Sequence, residues 1–209
     1  MCGNYYDVIV AGGGVSGVCA AISGARGGAR TALIQNRPVL GGNSSSEIRV
    51  WTRGAVGGGT IYSEEMGILG ELKLHNMHIN PESNVVLWDE VLLDKVLAEE
   101  NITLFLNTNI LSVTMKEKDN DSSNEIIESV SAYQMGSEQK IRFYSKFFID
   151  ATGDGTIGYL AGADYRIGRE DRQEFMESLA VNKKDKNVLG STIMFQTKHE
   201  GKKVQFAKP

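Results

Sequence analysis

The first apolar run, residues 5–10 (Tyr-Tyr-Asp-Val-Ile-Val), is short and rich in β-formers, as expected of a strand buried on both faces of a sheet. Gly12 to Gly14 break it. Residues 15–28 then carry small side chains suited to a tightly packed helix, and residues 30–35 (Arg-Thr-Ala-Leu-Ile-Gln) read as a second strand. Strand, helix and strand within about thirty residues predict a βαβ unit with a parallel sheet. Residues 36–59 are polar and glycine-rich without a clear period, the pattern of a loop. Residues 64–77 predict a helix with Met66, Leu69, Leu72 and Met77 near one face, broken by Asn80-Pro81. A further helix is expected over residues 85–100, where Trp88, Val91, Leu92 and Val96 recur at helical spacing.

Residues 102–106 predict a strand, and residues 110–115, 126–134 and 140–144 a three-stranded meander. Its first connection, residues 116–124, is charged, and Gly136-Ser137 supplies a tight turn. Residues 146–150 return as a buried strand into Ala151-Thr152-Gly153-Asp154-Gly155, with a short helix to Ala161. The expected fold is α/β, a Rossmann-like parallel sheet with helices on both faces and an inserted β-meander. After Tyr165 the character changes: residues 168–186 are charge-rich, and residues 189–196 read as a strand.

Composition narrows the function. With 22 Lys+Arg against 26 Asp+Glu and no long basic run, nucleic acid is not the expected partner. No apolar stretch approaches the ~20 residues of a membrane span, and two cysteines, Cys2 and Cys19, cannot build a disulfide framework. A reducing, cytoplasmic compartment is the expectation. Glycine carries more information, since 16 of the 24 fall within the first 70 residues, between apolar runs and without a fixed period. Glycine concentrated in this way suggests backbone brought close to a large ligand.

The strongest motif is Gly12-Gly13-Gly14-Val15-Ser16-Gly17, a GxGxxG between a predicted strand and a predicted helix. In that context the first glycine permits the sharp turn, the second lets a pyrophosphate touch main chain, and the third lets helix and strand pack closely. The helix N-terminus then offers free N–H groups and its positive dipole end to phosphate. An acid usually closes the second strand and holds the ribose hydroxyls; Gln35 and Asn36 stand there instead. Arg37, next in line, raises the possibility of a 2′-phosphate and hence of NADP.

Two later segments favour FAD. These are Gly41-Gly42-Asn43-Ser44-Ser45-Ser46-Glu47 and Ala151-Thr152-Gly153-Asp154-Gly155. Together with the first motif they resemble the FAD-dependent oxidoreductases of the glutathione-reductase-like superfamily. The similarity is greatest to fumarate-reductase-like flavoproteins and bacterial FAD oxidoreductases, through residues 37–43 (Arg-Pro-Val-Leu-Gly-Gly-Asn). The resemblance implies that Gly12 to Gly17 cradle the pyrophosphate and that Gln35, Asn36 and Arg37 surround the adenosine. Gly41, Gly42, Asn43 and Ser44 would run toward the flavin ring, and Thr108, Asn109 and Ile110 would touch adenine. Asp154 would accept a hydrogen bond from a ribityl hydroxyl, with Gly153 and Gly155 allowing close approach, and Thr152 would belong to the same cofactor-binding segment. An N-cap is the alternative role for Asp154. Asn43 replaces a histidine that links flavin in some such relatives, which implies a non-covalent cofactor.

No catalytic residue is singled out. Glu47, Arg49 and Arg53 follow the double glycine, and Arg49 is read either as a clamp for a substrate carboxylate or as the partner of Glu47. His75 and His78 lie three apart on a predicted helix, but with no ligating neighbours they read as surface histidines, not as a metal site. Cys19 reads as a packed thiol. The expected activity is hydride transfer between a small-molecule substrate and flavin, with an NAD(P)-dependent enzyme or a catalytically silent flavin module as alternatives. An FAD-binding domain is expected over residues 1–165, with residues 166–209 the start of an unfinished substrate domain. The resemblance thus implies a fragment of a longer enzyme. Oligomeric state is not legible.

Overall fold

The computed structural model describes residues 4–52, 65–116, 125–191 and 197–205. The chain divides into two compact units, residues 1–164 and 165–209. The first unit is built on a six-stranded sheet of order β3-β2-β1-β6-β5-β4, in which β1 (Asn4–Ala11), β2 (Thr31–Ile34), β3 (Ile102–Phe105) and the second half of β6 (Gln139–Asp150) run parallel. β4 (Thr108–Met115), β5 (Ile127–Gln134) and the first half of β6 form the antiparallel meander. The meander's third strand and the returning strand, expected as two elements, are therefore one. Its register explains why: Ser129 to Gln134 pair with residues 139–144, and Asn4 to Ala11 pair with residues 143–150, so both ladders share Phe143 and Tyr144.

Alternation along β1 and β2 divides the core in two. Val10 and Leu33 face α1 (Val15–Arg26), α2 (Gly67–Ile79) and α3 (Val85–Leu97), packing against Val18, Ile22, Leu72, Val91, Leu92 and Val96. Ile9, Ala11, Ala32 and Ile34 face the other way, against Ile110, Val130, Phe143 and Ile157 of the short helix α4 (Thr156–Leu160). Phe105 meets Phe143 edge-on at 4.8 Å between centroids, a favoured aromatic geometry. Helices thus lie on both faces, but the second is covered mainly by the meander, which brings the start of β4 to the C-terminal ends of the parallel strands.

α3 buries the four predicted residues Trp88, Val91, Leu92 and Val96. The expected apolar face of α2 is corrected: Met66 and Met77 are exposed, and the helix seats Leu72, with Ile68 beside it. Asn80, buried, ends α2 and starts α3. Its amide donates to Asn76 Oδ1 and to the Asn84 carbonyl and accepts from the Asn84 N–H, while Asn84 caps α3 by accepting from the Val86 N–H. Arg26 of α1 donates to Glu71 of α2 at 2.7 Å and to Glu99 at 2.6 Å, and Lys95 of α3 reaches Glu71 at 3.1 Å.

The second unit contains α5 (Arg172–Phe175), capped by Asp171, and an ion pair between Arg169 and Asp185. Residues 189–191 are not a strand, and the rest of that expected strand lies outside the described residues.

Candidate cofactor site

The βα junction after β1 is a glycine turn whose four glycines do different work. Gly12 has φ +98, and a Cβ there would sit 2.3 Å from the Ala151 carbonyl oxygen, so neither conformation nor space admits a side chain. A Cβ on Gly13 would meet Leu40 Cδ2 at 2.6 Å, and one on Gly17 would meet the Gly12 carbonyl oxygen at 1.8 Å. Gly14 alone of the four faces open space. It is the N-cap of α1, with no side-chain cap on the first turn. The first-turn N–H groups and the positive dipole end are thus presented at the one glycine with room above it.

That room belongs to a cleft of about 730 Å³, within the range of cofactor sites. One end is walled by Ile34, Gln35, Asn36 and Arg37 at the tip of β2 and by Thr108, Asn109 and Ile110 of β4. Gly12, Gly14, Val15 and Ser16 form the floor. Gly41, Gly42, Asn43 and Ser44, with Ile48, Val50, Trp51 and Thr52, line one side, and Thr152, Gly153, Asp154 and Thr156 another. Seventeen of the twenty residues expected at the site line the cleft; Gly13, Gly17 and Gly155 do not, and the first two act instead on packing beneath it.

Gln35 departs from expectation. Its side chain is buried, accepts from the Gly13 N–H at 2.8 Å and donates to the Val39 carbonyl at 3.0 Å. The amide is turned beneath the glycine turn, not out toward a ribose, while Asn36 stands exposed beside it. Arg37 pairs with Glu47 at 3.0 Å, so Arg49 is not the partner of Glu47. Arg49 does not line the cleft either, and its Nε donates to the Ser46 carbonyl. Arg53 lies outside the described residues.

The Gly41–Ser44 segment is fixed from both sides. The Gly41 N–H donates to the Gly13 carbonyl at 2.8 Å, and Gly42 lies so close to the first turn that a Cβ would meet Gly14 Cα at 3.2 Å. From the α3 side, Trp88 Nε1 donates to Ser44 Oγ at 3.0 Å, and Asp89 accepts from the Ser46 N–H at 2.9 Å. The other wall is organised by Asp150, which accepts from the Thr152 N–H and hydroxyl and from the Gly158 N–H. Thr152 Oγ1 in turn accepts from the Thr156 N–H at the start of α4. Asp154 is exposed, makes no hydrogen bond among the described residues and does not cap α4, whose N-cap is Gly155. The N-cap alternative is thereby corrected, and the carboxylate stands on the cleft wall.

Burial pushes the Cys19 thiol up, in keeping with a packed thiol. Among the described residues no cluster of three or more metal-ligating side chains accompanies His75 and His78, and no helix is long and apolar enough to cross a membrane.

The fold is similar to that of a geranylgeranyl bacteriochlorophyll reductase-like protein from Thermoplasma acidophilum, with a TM-score of 0.56 at 19% identity over 80% of this chain and 45% of that one. It is also similar to THI4 of Thermovibrio ammonificans, with a TM-score of 0.55 at 18% identity over 86% of this chain and 76% of that one. The chain thus spans less than half the length of the first of these structures. No curated protein matches the sequence. A family-wide match covers residues 7–208, nearly the whole chain, and by it the protein belongs to the FAD dependent oxidoreductase family.

Proposed function

We propose that the cleft binds FAD non-covalently in an extended form, with adenosine between the tip of β2 and the start of β4, the diphosphate over Gly14, and the flavin end beyond Asn43. The observation that carries this reading is the contrast among the glycines: a side chain on Gly12, Gly13 or Gly17 would strike protein, whereas one on Gly14 would enter open space at the uncapped end of α1, in the cleft floor. The flavin supplies the redox chemistry when bound, exchanging a hydride with a small-molecule substrate.

The chain's own residues supply position and charge. The unpaired N–H groups at the start of α1 stabilise the diphosphate. Asn36, exposed where an acid usually stands, takes over the ribose contact that the inward turn of Gln35 gives up. The Asp154 carboxylate, free of other hydrogen bonds among the described residues, accepts from a ribityl hydroxyl. Pairing of Arg37 with Glu47 occupies the cation that a 2′-phosphate would need, which favours FAD over NADP.

Anaerobic mixing of the flavin-loaded protein with a panel of small alcohols, amines, carboxylates and reduced nicotinamides tests the enzymatic part. Bleaching of the flavin band by one class identifies the hydride donor. A cofactor that dithionite reduces but no member of the panel touches, and that in reduced form reoxidises with none of the corresponding acceptors, points to a flavin module without this activity.

A further inference from the structure

Trp51 lines the cleft while 69% exposed, an uncommon state for a residue type that is mostly buried. The backbone that carries it is well anchored. The Val50 N–H donates to the Asn43 carbonyl at 2.8 Å, the Arg49 N–H to the Ser45 carbonyl at 2.7 Å, and the Arg49 side chain to the Ser46 carbonyl at 2.9 Å. Arg49 itself is held at φ +65, a left-handed conformation that a non-glycine residue keeps only when its surroundings impose it. These hydrogen bonds therefore hold a large, mostly exposed aromatic residue in the cleft wall, with no aromatic partner among the described residues.

Its place along the cleft follows from the chain. Residues 35–37 and 108–110 wall one end, Gly14 is in the floor, and Trp51 is one residue from the hydrogen bond that ties this loop to Asn43. Resting on the binding mode proposed above, we infer that Trp51 is the stacking platform for the isoalloxazine ring. An electron-rich indole suits an electron-poor flavin, and a side chain with only two rotatable bonds sacrifices little freedom on contact. Among the described residues no other tryptophan or tyrosine lines the cleft, and Trp88 is buried with its N–H on Ser44.

An indole in van der Waals contact quenches flavin emission by donating an electron to the excited ring, which returns it in the dark. The test compares wild type, Trp51→Phe and Trp51→Leu, each loaded with FAD, by flavin emission and by affinity for FAD and for ADP. We expect near-dark flavin in wild type and a several-fold rise in emission in both variants. FAD binding should be about tenfold weaker in Trp51→Leu, with ADP binding unchanged. Emission equal to wild type in both variants overturns the assignment, as does a loss of ADP affinity in step with FAD affinity. A wild-type chain that binds ADP but never FAD would instead sink the flavin reading itself, and the platform with it.

Discussion

Gln35 Oε1 accepts the Gly13 N–H at 2.8 Å, so the residue that follows the second strand holds the glycine turn from below. Its Nε2 closes the link by donating to Val39. Gln35→Leu should leave a buried N–H and a carbonyl unpaired and cost about 1–3 kcal/mol of stability, read as a lower midpoint in urea. Gln35→Glu keeps the acceptor for Gly13 but sets a carboxylate against the Val39 carbonyl. Stability of that variant should be lower than wild type at neutral pH and recover toward pH 5, where a protonated carboxyl can donate to Val39.

Gly17→Ala places a methyl group 1.8 Å from the Gly12 carbonyl oxygen, forcing α1 away from the turn. The expected loss is at least about 1–3 kcal/mol, the ordinary cost of overpacking, with a lower melting temperature even in the absence of FAD. A fold as stable as wild type would show that α1 does not pack against Gly12 as described.

Asp150 and Asp154 should separate by kind of effect. Asp150→Ala removes the acceptor for three hydrogen bonds that shape the Thr152 wall and α4, so stability and FAD affinity fall together. Asp154→Ala removes an exposed carboxylate with no protein partner among the described residues, so FAD affinity should fall with the melting temperature unchanged. Equal melting losses in the two variants would contradict this division.

Glu71 joins three helices, and its hydrogen bonds from Arg26 and Lys95 hold its carboxyl down at about 2, below the usual carboxylate range. The folded state therefore binds this proton less readily than the unfolded chain. The stabilisation is present above the unfolded value near 4.5 and is lost as pH falls toward 2. Because Arg26, Glu71 and Lys95 are partly open to solvent, which screens their charges, the contribution should stay below about 1 kcal/mol. Glu71→Gln should be less stable than wild type at pH 7 by that small amount, and denaturant midpoints should converge at the acid end.

Much of this was legible in the chain because the site is made of backbone. Gly12, Gly14 and Gly17 declare a turn, an open face and a close packing contact through spacing alone, and β1 and β2 follow from short runs dominated by apolar β-formers. Gln35 lines the cleft, but the inward bonds of its side chain were not legible, because position shows which residue ends a strand and not which way an uncharged amide turns. β6 was divided in two at Ser145, the one residue between the two expected strands, whereas the strand changes partners there without a break. Ile48, Val50 and Trp51 carry no period, so nothing marked residues 48–52 as a wall; among the described residues, main-chain hydrogen bonds to Asn43 and Ser45 hold that loop at the cleft. Asp89 and Asp150 were missed for a related reason, since each acts on main-chain N–H groups that the sequence does not identify.

The central claim is that a diphosphate lies against bare main chain at Gly14, and Gly14→Val tests it most directly. A Cβ at that position meets nothing within 4 Å, so the fold should tolerate the change while the branched side chain occupies the phosphate position. Flavin released by denaturation, measured against protein concentration, should fall from one FAD per chain in wild type to none in the variant, with melting of the FAD-free proteins nearly the same. Undiminished flavin in Gly14→Val would contradict the account.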